Sequence, residues 1–160
     1  MSDSNSNPLR PLETNCIGVA SKTFFYQSSV RFDDTDANGH VNNARYNAYC
    51  DEAAMGVFAA GGIDVSTAGV STIGAITRRA EYDYLAQLRY GDQFVVESTI
   101  EFTKPTRIVF YHAIHRAADR QCVCRCVAHG LWMDLRTGRP QKLSPDQMLR
   151  LLNGDSDVTG

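Results

Sequence analysis

The stretch that decides the fold runs from Val30 to Tyr46 and reads VRFDDTDANGHVNNARY. Before this stretch and into its first residues, apolar side chains recur at a period of two, on Phe24, Tyr26, Val30 and Phe32. That period predicts a first β-strand. The acidic, glycine-containing middle predicts a loop, and Asn42 or Asn43 can then cap the start of a helix. The stretch therefore combines a strand end, a tight acidic loop and a helix start.

The predicted helix is long. Apolar side chains recur at helical spacing on Ala44, Ala48, Met55 and Phe58. The pair Gly61-Gly62 ends the pattern, since glycine is the usual residue after a helix C-terminus. We expect this helix to pack against a sheet.

Four extended segments follow, over residues 73–85, 93–103, 107–117 and 121–134. The last three form an antiparallel meander because their connections are too short for a crossover. In residues 93–103 one face carries Phe94, Val96, Ile100 and Phe102, and the other carries Glu97 and Glu101. A capping box at Ser144-Pro145-Asp146-Gln147 predicts a short C-terminal helix. The pattern predicts an α+β fold with an antiparallel sheet wrapped around one long central helix.

Length and composition indicate one domain. The 160 residues are 43% hydrophobic, which is enough for a single core. We expect a flexible N-terminal arm at 1–20, a single domain at 21–152 and a flexible tail at 153–160. The net charge of -2 argues against nucleic acid as a partner. Neither a signal-peptide core nor a bilayer-length apolar stretch occurs, so we expect a cytoplasmic protein without a membrane partner.

Cysteine and histidine spacing argues against disulfides and metals. Cys122, Cys124 and Cys126 alternate in one predicted strand, and residues two apart on a strand lie too far apart for easy bridging, so reduced thiols are expected. His112 and His115 have an odd offset and should point to opposite faces. No metal site is predicted. The chain also lacks a Gly-x-Ser-x-Gly elbow, which argues against a serine hydrolase.

Residues 30–46 resemble the signature of the 4-hydroxybenzoyl-CoA thioesterase family of hotdog-fold proteins. Weaker similarity extends over roughly residues 22–152, at Glu52, Tyr82-Asp83-Tyr84-Leu85, Gly91-Asp92 and Thr137-Gly138-Arg139-Pro140. The resemblance implies a hotdog fold and hydrolysis of an acyl-CoA to a carboxylic acid and CoA, with no cofactor besides the substrate. It also implies a homodimer or homotetramer with active sites at the dimer interface. Many relatives carry an arginine shortly after the helix glutamate, where this chain has Met55.

The same resemblance assigns the catalytic carboxylate to Asp36 and the oxyanion donor to the backbone amide of Asn43. Thioester hydrolysis needs an activated oxygen and a stabilised oxyanion. A loop carboxylate provides the first as general base or nucleophile, and a helix N-terminal amide provides the second. Gly39 shapes the loop, and His40 is a lesser candidate base. Asp34 is expected to be a loop former.

For three other residues the sequence allows two alternative roles each. Glu52 is either a second carboxylate or a structural hydrogen-bonding group. Lys104 and Arg107, on either side of the Pro105 turn, either bind CoA phosphates or form a solvated hairpin end.

Two further functions remain open from the sequence. One is a non-catalytic acyl-CoA-binding hotdog sensor, and the other is a hotdog dehydratase. Retention of Asp36 and the Asp-Thr-Asp loop favours the thioesterase. The acyl group, whether aryl, short or long, is not determined by fold-level similarity.

Overall fold

The computed structural model describes residues 16–63 and 73–154. Its elements in chain order are β1 Phe24–Ser29, a 3-10 turn Phe32–Asp34, α1 Asn43–Ala60, β2 Ile73–Tyr84, β3 Gln93–Lys104, β4 Arg107–Arg116, β5 Cys122–Asp134, β6 Arg139–Pro140 and α2 Pro145–Asn153. The predicted α+β architecture is confirmed. Most of the predicted arm and tail, residues 1–15 and 155–160, lies outside the described residues.

One antiparallel sheet contains all the strands. Its order is β1-β3-β4-β5-β2, with the short β6 paired to β5. The predicted meander of β3, β4 and β5 is therefore confirmed, and so is the burial of the apolar face of β3. β2 follows α1 in the chain yet pairs with β5, so β1 and β2 lie at opposite edges.

The bounds of α1 agree with its sequence signals. Asn42 caps the helix by accepting a hydrogen bond from the Ala44 amide at 2.9 Å, and Gly61 ends it. Of the four apolar positions that predicted the buried face, however, Phe58 is buried but Ala44, Ala48 and Met55 are exposed. The buried residues are Tyr46, Tyr49, Cys50, Ala53, Val57 and Phe58. The apolar residues of α1 surround the helix rather than forming one stripe, so the larger side chains determine which face packs.

The first strand is shorter than predicted. It ends at Ser29, and Phe32 begins the 3-10 turn with 77% of its surface exposed. The cause is Asp34, whose Oδ2 accepts a hydrogen bond from the Arg31 amide at 2.9 Å and turns the chain away from the sheet. The Phe32 ring lies edge-on to Tyr90 instead, with centroids 5.9 Å apart.

The second helix, α2, covers the core beside the C-terminal end of α1. The capping box predicted at Ser144 is present, with its hydroxyl accepting from the Gln147 amide at 3.2 Å. α2 lies so close to the end of α1 that a Cβ added at Gly61 would be 2.6 Å from a methyl carbon of Leu151. Glycine is therefore required there by close approach.

The segment before β1 runs along β3. Gly18 and Ser21 donate backbone hydrogen bonds of 2.9 Å to the carbonyls of Phe102 and Ile100, and Cys16 is buried. Residues 16–20, which fall in the predicted arm, thus run beside β3, with Cys16 in the core. All five cysteines are free thiols. Neither described helix has the length and apolarity needed to span a membrane.

Candidate active site

The loop between β1 and α1 holds Asp36 in a compact turn. The Asp36 amide donates to the His40 carbonyl at 2.9 Å, and the Gly39 amide donates back to the Asp36 carbonyl at 3.0 Å. Gly39 has a φ of 73°, a conformation that favours glycine. Asp36 Oδ1 accepts from the Asn38 amide at 2.8 Å. Within the described chain, Oδ2 of Asp36 has no hydrogen-bond partner.

The start of α1 presents a free amide beside this turn. The Ala44 amide donates to the side chain of Asn42, and the Arg45 amide donates to the Asn42 carbonyl at 2.8 Å. The Asn43 amide, by contrast, has no acceptor among residues 16–63 and 73–154. First-turn amides carry the positive end of the helix dipole, so this group is suited to an oxyanion.

Asp36 and Asn43 line one open cavity of about 740 Å³, together with His40. The opposite wall is formed by the segment after β2, at Tyr84, Leu85, Ala86 and Gln87. Several contacts hold this wall in place. Among them, the Val41 amide donates to the Leu88 carbonyl at 2.9 Å, and Arg116 Nη1 donates to the Gln87 carbonyl at 2.9 Å. In the sequence, Tyr84 and Leu85 contributed only to the weak similarity at residues 82–85. Ala86 and Gln87 carried no signal, since the contacts that hold this wall run through backbone carbonyls.

Asp34 lies on the other side of the same loop and is only 2% exposed. Its Oδ2 accepts from the Tyr49 hydroxyl at 2.8 Å and from the Arg31 amide at 2.9 Å, and its Oδ1 lies 3.6 Å from Arg45 Nε. Burial, and then the hydrogen bond to Asp34, raise the pKa of Tyr49 well above its usual value. Asp34 thus joins the end of β1, the loop and α1.

Glu52 is not brought to the Asp36 cavity. It is exposed on α1 and lines a separate cavity of about 170 Å³ with Tyr49, Arg31 and Arg45.

Lys104 and Arg107 pair with each other at the β3–β4 hairpin, and both are exposed. Arg107 pairs with Leu131, which pairs with Ile76, whereas the Asp36 cavity adjoins Tyr84. Eight residues of strand separate Ile76 from Tyr84, a span of about 26 Å. In a single chain, the two cations therefore lie far from Asp36.

The histidines of β4 face opposite ways. His112 is buried, with Nδ1 2.8 Å from the Ser98 hydroxyl, while His115 lies 3.9 Å from Glu97 on the other face of β3. Burial lowers the pKa of His112 to about 4. No group of three or more metal-ligating side chains occurs in the part of the chain that the structure describes.

A curved antiparallel sheet around a central helix, with a carboxylate in the loop before that helix, defines a hotdog-fold protein. The chain belongs to the thioesterase-like superfamily, whose family model matches residues 30–151.

Relatives agree with this assignment. Over 105 residues the chain is 30% identical to the chloroplastic acyl-acyl carrier protein thioesterase ATL3 of Arabidopsis thaliana, a match that covers 66% of this chain and 55% of that protein. The chain thus spans about half the length of this curated relative.

Two solved structures share the fold. The 1,4-dihydroxy-2-naphthoyl-CoA thioesterase Slr0204 from Synechocystis has a TM-score of 0.73 at 22% identity, covering 87% of this chain and 99% of that one. Protein SAV2348 from Staphylococcus aureus, solved in complex with CoA, has a TM-score of 0.71 at 17% identity, covering 82% and 85%.

Proposed function

We propose that the protein is an acyl-CoA thioesterase that hydrolyses a thioester to a carboxylic acid and CoA, with Asp36 as general base or nucleophile. The observation that carries the proposal is the shared cavity of Asp36 and Asn43, in which a free carboxylate oxygen and a free helix amide are both available. The family, the CoA complex of SAV2348 and the activity named for Slr0204 support the substrate class.

As general base, Asp36 takes a proton from water while the water oxygen bonds to the thioester carbonyl carbon. The carbonyl oxygen becomes an oxyanion that the Asn43 amide stabilises, and the C–S bond then breaks to release the CoA thiolate. As nucleophile, the Asp36 carboxylate bonds to that carbon and expels the thiolate, and water hydrolyses the resulting anhydride. Neither route requires a cofactor.

The test is Asp36→Asn, assayed with CoA thioesters and a thiol reagent. The amide keeps the size of the side chain but removes the basic oxygen, so we expect turnover to fall at least about 10²-fold. Acyl carrier protein thioesters belong in the same panel, since the plant relative is named for them. Near wild-type hydrolysis by a folded Asp36→Asn protein would remove Asp36 from the mechanism and direct attention to Glu52.

We further propose that the active form is a dimer or tetramer with sites at the dimer interface. β2 lies at the edge of the sheet, and an unpaired strand edge favours pairing with another chain. Light scattering tests this, and an active, monodisperse monomer would contradict it.

An assembly would also give Lys104 and Arg107 a route to CoA phosphates, as residues serving a neighbouring subunit's site. Replacing both with alanine should then raise KM more than it lowers kcat, and the effect should shrink with an acyl-N-acetylcysteamine, which lacks the nucleotide. Equal losses on both substrates would exclude phosphate binding by these cations.

A further inference from the structure

A groove separates α1 from the edge strand β2. The helix packs closest to β1 and β3. On the β2 side, two tyrosines reach across to the helix: the Tyr84 hydroxyl donates to the Asn43 carbonyl at 3.2 Å, and the Tyr82 hydroxyl donates to Asn47 Oδ1 at 2.7 Å. Their rings stack at 12° with centroids 5.9 Å apart. The two bridges therefore cross the groove one helical turn apart.

Different cavities adjoin the two bridges. Tyr84 and Asn43 line the Asp36 cavity, which is the catalytic cavity of the proposed mechanism and is lined mainly by polar groups. Tyr82 and Asn47 line a second cavity of about 90 Å³ that extends away from the catalytic end. Its lining combines the polar residues Asp51, Thr77 and His112 with the apolar side chains of Ala54, Phe58, Ala75, Phe110 and Ala128. This second, inner cavity thus offers an apolar surface on part of its wall, where an acyl chain could pack. The Tyr82–Asn47 bridge lies at the end of this cavity nearest Asn43.

The Asn47 amide is held on both sides. Its oxygen accepts from Tyr82, and its nitrogen donates to Asp51 Oδ2 at 2.8 Å. These two bonds assign the amide one orientation and tie β2 to α1 through a side chain. An acyl chain passing from the catalytic cavity into the inner cavity would have to separate Tyr82 from Asn47.

We infer that the Tyr82–Asn47 bridge determines acyl specificity by keeping the acyl group in the catalytic cavity and out of the inner cavity. This inference rests on the proposed thioesterase function. The wild-type protein then favours short acyl groups, since a longer chain must break a hydrogen bond to enter the pocket that would hold it. A net hydrogen bond of ordinary strength corresponds to a preference of about tenfold.

The experiment compares kcat/KM for butanoyl-, hexanoyl-, octanoyl- and decanoyl-CoA in the wild type, Asn47→Ala and Tyr82→Phe. We expect the octanoyl-to-butanoyl ratio to rise about tenfold in Asn47→Ala, which removes the bridging amide. In Tyr82→Phe, which keeps the ring, we expect a rise of about threefold. Adding Ala54→Leu to Asn47→Ala fills the inner cavity and should return the ratio towards the wild-type value.

Tyr111→Phe is the matched control, because its hydroxyl contacts Glu101 at 3.3 Å on the outer side of the sheet. Its ratio should equal that of the wild type. An unchanged ratio in both bridge variants, with activity retained, would overturn the specificity role and leave the thioesterase proposal standing. If the wild type hydrolyses none of the four thioesters, the specificity inference fails, while the thioesterase proposal is decided by the wider panel of thioesters assayed with Asp36→Asn. Should Asn47→Ala not fold, Tyr82→Phe alone decides.

Discussion

Asp34 and Asp36 are two residues apart in one loop, yet their surroundings have little in common. Asp34 is 2% exposed and accepts hydrogen bonds from Tyr49 and Arg31. Asp36 lines an open cavity and accepts one backbone hydrogen bond at a single oxygen. A carboxylate whose oxygens are occupied stabilises the fold, whereas one with a free oxygen is available to a substrate. The loop thus turns one carboxylate into the core, where it joins β1 to α1, and the other towards the cavity.

The largest difference between the two aspartates should appear in the free energy of unfolding of their alanine variants. Asp34→Ala leaves the Tyr49 hydroxyl and the Arg31 amide without their acceptor in a buried place, and should lower the free energy of unfolding by about 4 kcal/mol. Asp36→Ala loses one partly exposed turn hydrogen bond and should cost no more than about 1 kcal/mol. Urea unfolding followed by circular dichroism measures both. Similar losses for the two variants would contradict the division of roles.

Tyr49→Phe should have an intermediate effect. It removes one hydrogen bond to a buried carboxylate, for a loss of about 2 kcal/mol at pH 7. The pKa of Tyr49 is raised in the folded protein, so its stabilising contribution is complete below the unfolded value of 10.0 and declines as the pH rises above it. The stability difference between wild type and Tyr49→Phe should therefore narrow between pH 9 and 11. A constant difference over that range would mean that the hydroxyl ionises equally in both states.

The smallest effect is expected for the exposed neighbour Asp33. Its contacts are ion pairs of 3.6 Å to Arg31 and 3.7 Å to Arg45, with 64% of its side chain exposed. Solvent screens such pairs, so Asp33→Asn should change the free energy of unfolding by less than about 0.5 kcal/mol. Thermal unfolding at low and high salt provides the readout. A loss as large as that of Tyr49→Phe would mean that Asp33 also anchors the loop.

Local signals in the sequence were sufficient for much of the fold. The cap at Asn42, the stop at Gly61, the alternation in β3 and the capping box at Ser144 each depend on residues close in sequence, and each is present in the structure. The order of the strands in the sheet could not be predicted from such local signals. The pairing of β2 with β5 joins segments about 50 residues apart, and its register depends on side chains that meet only in the folded sheet.

For the candidate site, the resemblance to the 4-hydroxybenzoyl-CoA thioesterase family assigned roles to Asp36 and Asn43, and the structure brings both residues to one cavity. The Asp34–Tyr49 hydrogen bond was missed because the two residues are 15 apart and carry no pattern. The bridges from Tyr82 and Tyr84 had a faint signal, two tyrosines at a strand spacing of two, but their partners on α1 could not be read from it. The buried face of α1 was mispredicted for a related reason, since tyrosines with bonded hydroxyls replaced the small apolar residues in the core.

The close approach of Gly61 to Leu151 has a consequence for biosynthesis. The central helix cannot complete its packing until the residues of α2 have been made, and β2 likewise has no partner until β5 appears. At about 5–20 residues per second, a ribosome needs roughly 5–18 s to progress from Gly61 to Leu151. Throughout that interval the nascent chain carries an exposed helix face, and from the synthesis of β2 until that of β5 it also carries an unpaired strand. Chaperone dependence during translation should therefore be greatest before β5 emerges, when the helix face and β2 are both exposed.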